Sequence, residues 1–178
     1  RDAFIQHAIK NGYSKDILLK VGLASGNEER MYDKYQGRVI FPIHNLTGKV
    51  IGFGARILSS DKTKAKYLNS PESEIYNKSQ TLYGIYFAKN EISRQDNCIL
   101  VEGYADVLSM HQAGIENTVA SSGTSLTTEQ IRLISRYTKN ITILYDGDSA
   151  GIHAALRGTD MILEEGMNVR IVVLPPDE

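Results

Sequence analysis

Residues 141–151 read ITILYDGDSAG, and this stretch decides the fold class. The first five residues are apolar and mostly β-branched, which predicts a strand buried on both faces, as in a parallel sheet. Asp146 and Asp148 follow it, with only Gly147 between them. Two carboxylates this close repel each other, and the repulsion raises the pKa of one of them. A bound metal cation would offset the repulsion, so the stretch predicts a metal site at the end of a buried strand.

An apolar run that predicts a buried strand occurs four times in the second half of the chain. Short apolar runs predict strands at residues 98–101, 117–120, 141–145 and 169–174. Helix-like stretches lie between them, near residues 104–113, 127–138 and 149–165. Thr127 with Gln130 predicts a capping box at the start of the second of these helices. Strands that alternate with helices indicate βαβ units and a parallel sheet.

The first half of the chain is more mixed. Its periodicity predicts helices over residues 3–11, 14–23 and 79–91. The runs RVIFPI (38–43) and KVIGFGARIL (49–58) flank a turn rich in Asn and Gly, which predicts a hairpin. Pro42 favours an edge position for its strand. Residues 27–37 are interpreted as a polar connection, residues 67–74 as a turn-rich segment, and residues 93–97 as a domain boundary.

Composition is that of an ordinary globular protein, with 178 residues, 42% hydrophobic and 23% charged. No apolar run approaches the ~20 residues of a membrane helix. The single cysteine, Cys98, excludes an internal disulfide and favours a reducing, cytoplasmic setting. No Cys/His spacing predicts a zinc site.

Charge is distributed unevenly along the chain. The net charge is −1, but residues 1–97 carry 15 Lys and Arg against 10 Asp and Glu, whereas residues 98–178 carry 5 against 11. A basic half followed by an acidic half suits a phosphate-binding part joined to a metal-binding part. An unevenly charged, solvated surface is the alternative interpretation.

Two further acids fall where the first predicted parallel strand ends. Glu102 follows this strand directly, and Asp106 falls in the first turn of the next helix. Because carboxyl ends of parallel strands meet at one edge, we expect both to gather with Asp146 and Asp148 if the strands are neighbours. Carboxylate oxygens suit magnesium or manganese. The alternatives are an Asp-rich turn that caps a helix and, for Asp106, an acid stabilised by the helix dipole.

The cations of the first half flank the hairpin and the segment after it. They are Arg38, Arg56, Lys66 and Lys78, and Tyr67 and Tyr76 alternate with them. Such interleaving suits phosphate neutralisation and base stacking by a nucleic-acid site. Solvated surface charges and ordinary packing are the alternatives.

Five segments together resemble a known family. VEGYADV (101–107) followed by YDGDSAG (145–151) resembles the two-part acidic signature of the Toprim domain. The segments GRVIFPIHNLTGKVIGFGARIL, KYLNSPESEIYNKSQTLYGIY and ASSGTSLT resemble the RNA polymerase core of bacterial DnaG-type primases. The implied fold class is α/β, with a basic α+β subdomain over residues 1–96 and a Rossmann-like, parallel-sheet Toprim subdomain over residues 97–178.

The resemblance implies an enzyme that makes short RNA primers on single-stranded DNA from NTPs, by metal-dependent nucleotidyl transfer. It implies a monomeric cytoplasmic protein at the bacterial replication fork, with Mg²⁺ or Mn²⁺ as cofactor and a replicative helicase as partner. The catalytic and metal-binding residues it implies are Glu102, Asp146 and Asp148, with Asp106 as a further metal ligand. The positions it implies for template or nucleotide binding are Arg38, Arg56, Lys66, Asn69 and Lys78.

Departures from the family pattern set further expectations. Ala105 replaces a bulkier apolar residue. The chain opens at Arg1 without an initiator methionine and is interpreted as a fragment that lacks the family's zinc-binding and helicase-docking domains. Family members continue past LPPDE into another acidic pair, so we expect weakened metal binding, and Asp177 is not assigned as a ligand.

Two other classes of function fit parts of the pattern. A Toprim nuclease or topoisomerase would use the same acids to cleave DNA, although the KYLNSPE segment argues against it. A non-enzymatic module would bind nucleic acid or a nucleotide without metal. An aspartyl-phosphate phosphotransferase fits less well, because it would not explain Glu102.

Overall fold

The computed structural model describes residues 2–59, 63–121, 123 and 125–173. The chain divides into two compact units, one of residues 1–43 and 50–77 and the other of residues 44–49 and 78–178. Residues 78–95 fall in the second unit because their apolar side chains join its core. The predicted boundary between residues 96 and 97 stays a prediction. No helix within the described ranges is long and apolar enough to cross a membrane.

The described residues of the first unit form two helices and five strands. They are α1 (Ala3–Lys10), α2 (Lys15–Lys20), β1 (Ala24–Gly26), β2 (Met31–Asp33), β3 (Arg38–His44), β4 (Val50–Ile57) and β5 (Tyr67–Asn69). The prediction of two helices is confirmed, and Ser14 caps α2 by accepting the Ile17 N–H. The prediction of a polar connection at residues 27–37 is wrong at β2, which pairs with β1. The pairing forms because Asn27 closes a tight turn, in which its side chain accepts the N–H groups of Glu29 and Arg30.

Tertiary contacts hold α1 in place. The Asp33 carboxylate accepts the N–H groups of Phe4 and Ile5, each at 3.0 Å, and so satisfies two backbone donors at the start of the helix. The buried residues of the small core beneath it are Ile5, Ala8, Leu18 and Ala24. The carboxylate that caps α1 lies 28 positions along the chain from Ile5, too far for sequence periodicity to reveal.

The predicted hairpin is confirmed. Strands β3, β4 and β5 form one sheet in that order, so Pro42 lies on an edge strand as predicted. At the turn, the Asn45 side chain accepts the N–H groups of Thr47 and Lys49. Strand β5 corrects the prediction that residues 67–74 form only turns. Its residues pair antiparallel with β4, with Tyr67 opposite Arg56 and Asn69 opposite Gly54.

The second unit is an α/β structure, in which strands alternate with helices. Its elements are a 3-10 helix (Lys78–Gln80), α3 (Ile85–Gln95), β6 (Cys98–Val101), α4 (Tyr104–Gln112), β7 (Thr118–Ala120), α5 (Thr128–Ile134), β8 (Asn140–Tyr145), α6 (Ser149–Glu164) and β9 (Asn168–Val173). The four strands are parallel, in the order β7-β6-β8-β9. The predicted parallel sheet, its strands and the capping box at the start of α5 are confirmed.

The two central strands have no exposed residue: β6 is almost fully buried, and β8 alternates half-buried with buried residues. Leu100 of β6 pairs with Ile143 of β8, and neither side chain is exposed. Ile85, Ile131 and Ile162 from three helices complete the same apolar cluster. This burial is the reason that the strands read as unbroken apolar runs.

One predicted helix is wrong at its start. The sequence pattern places a helix over residues 79–91, but α3 begins at Ile85. Tyr83 instead forms an antiparallel bridge with Ala120, donating and accepting backbone hydrogen bonds of 2.8 and 3.1 Å. Gly84, with φ of +85°, then turns the chain into the helix. Long-range pairing at the sheet edge therefore overrides local helix propensity.

The strand order defines where a ligand is expected. The chain leaves β6 through α4 to reach β7 on one side, and then returns through α5 to β8 on the other side of β6. Connections that leave in opposite directions open a crevice at the carboxyl ends of the two middle strands. The residues that follow β6 and β8 lie at this topological switch point.

Candidate functional site

Glu102 and Asp146 meet at the carboxyl ends of the two central strands. The Glu102 Oε1 accepts the backbone N–H of Asp146 at 3.2 Å. Leu100 and Ile143 are paired two and three residues earlier, so the parallel register brings these positions together. Glu102 is half-buried and Asp146 is exposed. The predicted gathering of acids at one edge therefore has a direct contact at its centre.

Asp106 and Asp148 are engaged by helix starts. The Asp106 Oδ2 accepts the Gly103 N–H at 2.8 Å, and the Asp148 Oδ1 accepts the Gly151 N–H at 2.7 Å. These contacts satisfy backbone donors at the starts of α4 and α6. The helix cap proposed as the alternative for Asp148 is therefore present, and Asp106 lies in the first turn of α4, as its helix-dipole alternative requires.

The four carboxylates interact electrostatically. Burial raises the pKa of Glu102 above its usual value, and the charges of Asp146, Asp148 and Asp106 raise it further, against the lowering effect of the Asp146 N–H. The ionised form of Glu102 is thus disfavoured by its surroundings. A cation among the four would reverse that preference.

Carboxylate oxygens suit a hard divalent cation, but the four acids as placed here do not form a complete set of metal ligands. Across the described part of the chain, no three His, Cys, Asp or Glu side chains are grouped closely enough to hold a metal ion. Asp106 and Asp148 would have to turn away from the N–H groups that they accept, or water and substrate oxygens would complete the coordination. The assignment of these acids as metal ligands stays a prediction. Asp177 lies outside the described residues, as do Ser122 and Thr124 of the ASSGTSLT segment.

Sequence reasoning missed Gly151, which lies where α6 approaches the site most closely. A Cβ at this position would stand 2.2 Å from the Asp146 carbonyl oxygen and 3.0 Å from the Glu102 Oε1. Only glycine fits so close to backbone. The signal was the second glycine of YDGDSAG, whose spacing from Asp148 matches an N-cap contact.

A cavity of about 360 Å³ lies beside Glu102 in the second unit. Tyr145 and Arg157 contribute to its lining and were not predicted. Ala154, Arg157 and Met161 face it from α6. Their spacing of three and four residues on a predicted helix could have revealed that shared face.

Four predicted nucleic-acid-binding residues cluster in the first unit. The Arg38 Nη1 donates to the Lys66 carbonyl at 3.3 Å, which links the start of β3 to the residue before β5. Arg56 pairs with Tyr67, and its guanidinium lies 5.8 Å from the tyrosine ring centroid. Asn69 lies two residues beyond Tyr67 and therefore shares its face of the sheet. Sequence-distant cations and polar groups thus share one small sheet.

Lys34 was missed in this cluster, and Lys78 lies outside it. The Lys34 Nζ donates to the Asn69 carbonyl at 3.3 Å. No motif flagged Lys34, because it sits in the segment interpreted as a connection. Lys78 opens the 3-10 helix of the second unit, where its carbonyl accepts a hydrogen bond from Gln130.

Comparison with known families gives two matches that together span nearly the whole chain. Residues 1–89 match "DNA primase catalytic core, N-terminal domain", and residues 99–178 match "Toprim-like".

Individual relatives agree with the family matches. The DNA primase of Clostridium acetobutylicum is 48% identical over 172 residues, which cover 94% of this chain and 28% of that protein. A crystal structure of the Aquifex aeolicus primase, with zinc-binding and RNA polymerase domains, has a TM-score of 0.92 at 38% identity and covers 99% of this chain and 44% of its own. A DnaG primase catalytic domain bound to ssDNA has a TM-score of 0.89 at 39% identity, with 99% and 56% covered. The chain spans less than a third of the length of the curated primases that it matches.

Gly151→Ala is expected to disrupt the carboxylate edge. Its Cβ would stand 2.2 Å from the Asp146 carbonyl, so the start of α6 must shift. We expect a loss of roughly 1–3 kcal/mol in the free energy of unfolding, measured with urea. Gly158→Ala is the control in the same helix, because its Cβ would meet the Ile143 side chain at an ordinary 3.4 Å. It should be neutral or stabilising, and equal destabilisation by both changes would contradict the assignment.

Glu102→Gln is expected to stabilise the metal-free protein. It removes a charge that faces three other carboxylates and keeps an oxygen to accept the Asp146 N–H. Solvent screens a half-exposed group, so we expect a rise in Tm of roughly 1–2 °C. Added Mg²⁺ should raise the Tm of the unmodified protein more than that of the variant.

The control is Glu164→Gln, an exposed change in the last turn of α6. It should leave the Mg²⁺ response unchanged, because its only expected effect is a small rise in Tm from removing a negative charge at the helix C-terminus. A Glu102→Gln variant that is less stable than the unmodified protein without metal would show that burial and charge repulsion do not together oppose the ionised carboxylate at this position.

Proposed function

This chain belongs to the bacterial DnaG-type primase family, and we propose that it carries the chemistry by which such an enzyme makes short RNA primers on single-stranded DNA. The observation that carries the proposal is the contact between Glu102 and Asp146 at the switch point of a parallel sheet, with Asp106 and Asp148 close enough to act on the same charge. Clustered acids of this kind suit phosphoryl chemistry that requires a divalent cation.

The proposed reaction is nucleotidyl transfer. The 3′-hydroxyl of the growing primer attacks the α-phosphorus of an NTP, a new phosphodiester bond forms, and pyrophosphate leaves. Glu102, Asp146 and Asp148 would hold a divalent cation, which when bound would lower the pKa of the hydroxyl and stabilise charge on the phosphate oxygens.

The chain's own residues prepare this step. The Asp146 N–H holds the Oε1 of Glu102, so the side chain keeps one orientation. We assign proton acceptance from the primer hydroxyl to the other oxygen, Oε2. The contact with the Asp146 N–H supports the assignment, because it engages Oε1 and leaves Oε2 to face the substrate. Asp146 and Asp148 supply the remaining negative charge.

The basic cluster of the first unit serves the nucleic acid in this proposal. Arg38, Arg56 and Lys66 neutralise template phosphates, and Asn69 adds a polar contact. The proximity of Arg56 to the Tyr67 ring supports a surface that combines cation and aromatic face. Lys78 binds template or nucleotide phosphate from the second unit. Binding to single-stranded DNA should weaken with salt, because phosphate contacts release counterions.

The finer parts of the proposal concern the whole protein. They are Mg²⁺ or Mn²⁺ as the metal, NTPs and an RNA primer as substrates and product, a replicative helicase as partner, and a monomeric state. Zinc would belong to a separate domain, as in the Aquifex aeolicus primase, whose structure combines zinc-binding and RNA polymerase domains.

Asp146→Asn in the full-length protein is the test of the proposed function. We expect incorporation of labelled NTPs on single-stranded DNA to fall roughly 10²–10³-fold, because the variant loses one carboxylate that would hold the cation that stabilises the transition state. Asp160 is exposed on α6, the helix that Asp148 caps. Asp160→Asn is therefore the matched control and should retain full incorporation.

Two results would contradict the proposal. One is metal-dependent nicking of DNA without incorporation, which would identify a nuclease. The other is DNA binding that needs no metal and supports no synthesis, which would identify a binding module.

A further inference from the structure

Gln130 is a polar side chain with no exposed surface in the core of the second unit. Its Oε1 accepts the Thr127 N–H at 3.2 Å, which completes the capping box at the start of α5. Its Nε2 donates two hydrogen bonds outside the helix. The acceptors are the carbonyls of Lys78 at 3.0 Å and Thr81 at 2.8 Å. The amide therefore joins α5 to a segment about 50 positions earlier in the chain.

The same segment is fastened at two more points. The Thr127 hydroxyl donates to the Ser79 carbonyl at 2.5 Å. Beyond Thr81, Tyr83 pairs with Ala120, the last residue of β7. Residues 78–83 are thus fixed against the start of α5 and the carboxyl end of β7.

Helix capping alone does not account for Gln130. Glutamate serves equally well as the third residue of a capping box, because only an acceptor oxygen is needed there. Glutamate could not donate to both carbonyls of Lys78 and Thr81, because its ionised form has no donor and its protonated form has one. A buried amide whose hydrogen bonds are satisfied adds little net stability over a well-packed apolar side chain. The specific contribution of Gln130 is therefore the placement of the 78–81 backbone.

We propose that Gln130 is a positioning residue that acts through Lys78, by holding the backbone from which the lysine side chain projects. Thr127 assists through Ser79. The inference rests on the proposed function, in which Lys78 binds the phosphate of template or nucleotide. Fixing the lysine backbone lowers the conformational freedom lost when the ammonium group engages a phosphate.

The test is a double-mutant cycle in the full-length protein, with primer synthesis as the readout. The variants are Lys78→Ala, Gln130→Met and the two combined. Met fills a similar volume but cannot donate to the carbonyls. We expect Gln130→Met to lower kcat/KM roughly 5–50-fold, with the same division between kcat and KM as Lys78→Ala. The double variant should be no more than about 2-fold worse than Lys78→Ala, because residues that act through one group are not additive.

Gln130→Glu separates placement from capping. It retains an acceptor for the Thr127 N–H but places oxygen against the carbonyls of Lys78 and Thr81. We expect it to lower kcat/KM at least as much as Gln130→Met. Activity equal to the unmodified protein would overturn the inference, since a capping residue alone would then suffice.

Thr138→Val controls for a general loss of stability. Thr138 is buried, and its hydroxyl donates to Asp96 at 2.8 Å, away from residues 78–81. It should lower Tm, leave the kcat/KM of primer synthesis unchanged and leave the effect of Lys78→Ala unchanged. If Gln130→Met does not fold, Thr127→Val replaces it in the cycle, because it removes the contact with Ser79.

Three outcomes distinguish this inference from the proposed function. Losses from Gln130→Met and Lys78→Ala that multiply would overturn the inference alone. A Lys78→Ala variant with full activity would also overturn the inference. If synthesis is nevertheless lost in Asp146→Asn, the proposed function still stands. An unmodified full-length protein that makes no RNA would overturn the proposed function and the inference with it.

Discussion

The hydrogen bond from the Asp146 N–H to the Glu102 carboxylate joins the ends of the two central strands. It holds a half-buried carboxylate beside other acids, an arrangement that like charges oppose. The bond requires the parallel register of β6 and β8, and that register requires the buried pairing of Leu100 with Ile143. It also requires Gly151, since any side chain there would strike the Asp146 carbonyl. The packing of the apolar core thus places mutually repelling carboxylates at the carboxyl edge of the parallel sheet.

Much of this could be predicted from local sequence. Strands buried on both faces are unbroken apolar runs, and acids that directly follow such strands must lie at the carboxyl edge of a parallel sheet. Glu102 and Asp146 were predicted to approach each other for that reason. The hairpin and the capping box were also predictable, because turn and cap residues act within a few positions of where they stand.

The remaining features depend on partners distant in sequence. The predicted start of α3 was wrong because Tyr83 pairs with Ala120, and no local sequence pattern reveals that pairing. The cap of α1 comes from Asp33, and the anchor of Lys78 comes from Gln130. The family resemblance identified Asn69 as a candidate, whereas periodicity alone could not have selected it or Lys34. Residues whose roles depend on tertiary contacts therefore required the structure.

The most direct test of the account is to locate a bound divalent cation on the protein. Mn²⁺ added to ¹⁵N-labelled protein broadens the amide signals of nearby residues by its paramagnetism. The account predicts that the amides of Gly103, Asp146 and Gly151 broaden first, because each donates to one of the four carboxylates. Asn140, at the opposite end of β8 and roughly 20 Å away at the usual strand rise, should stay sharp. Broadening centred elsewhere, with these three amides unaffected, would contradict the claim that the carboxyl ends of β6 and β8 hold the metal.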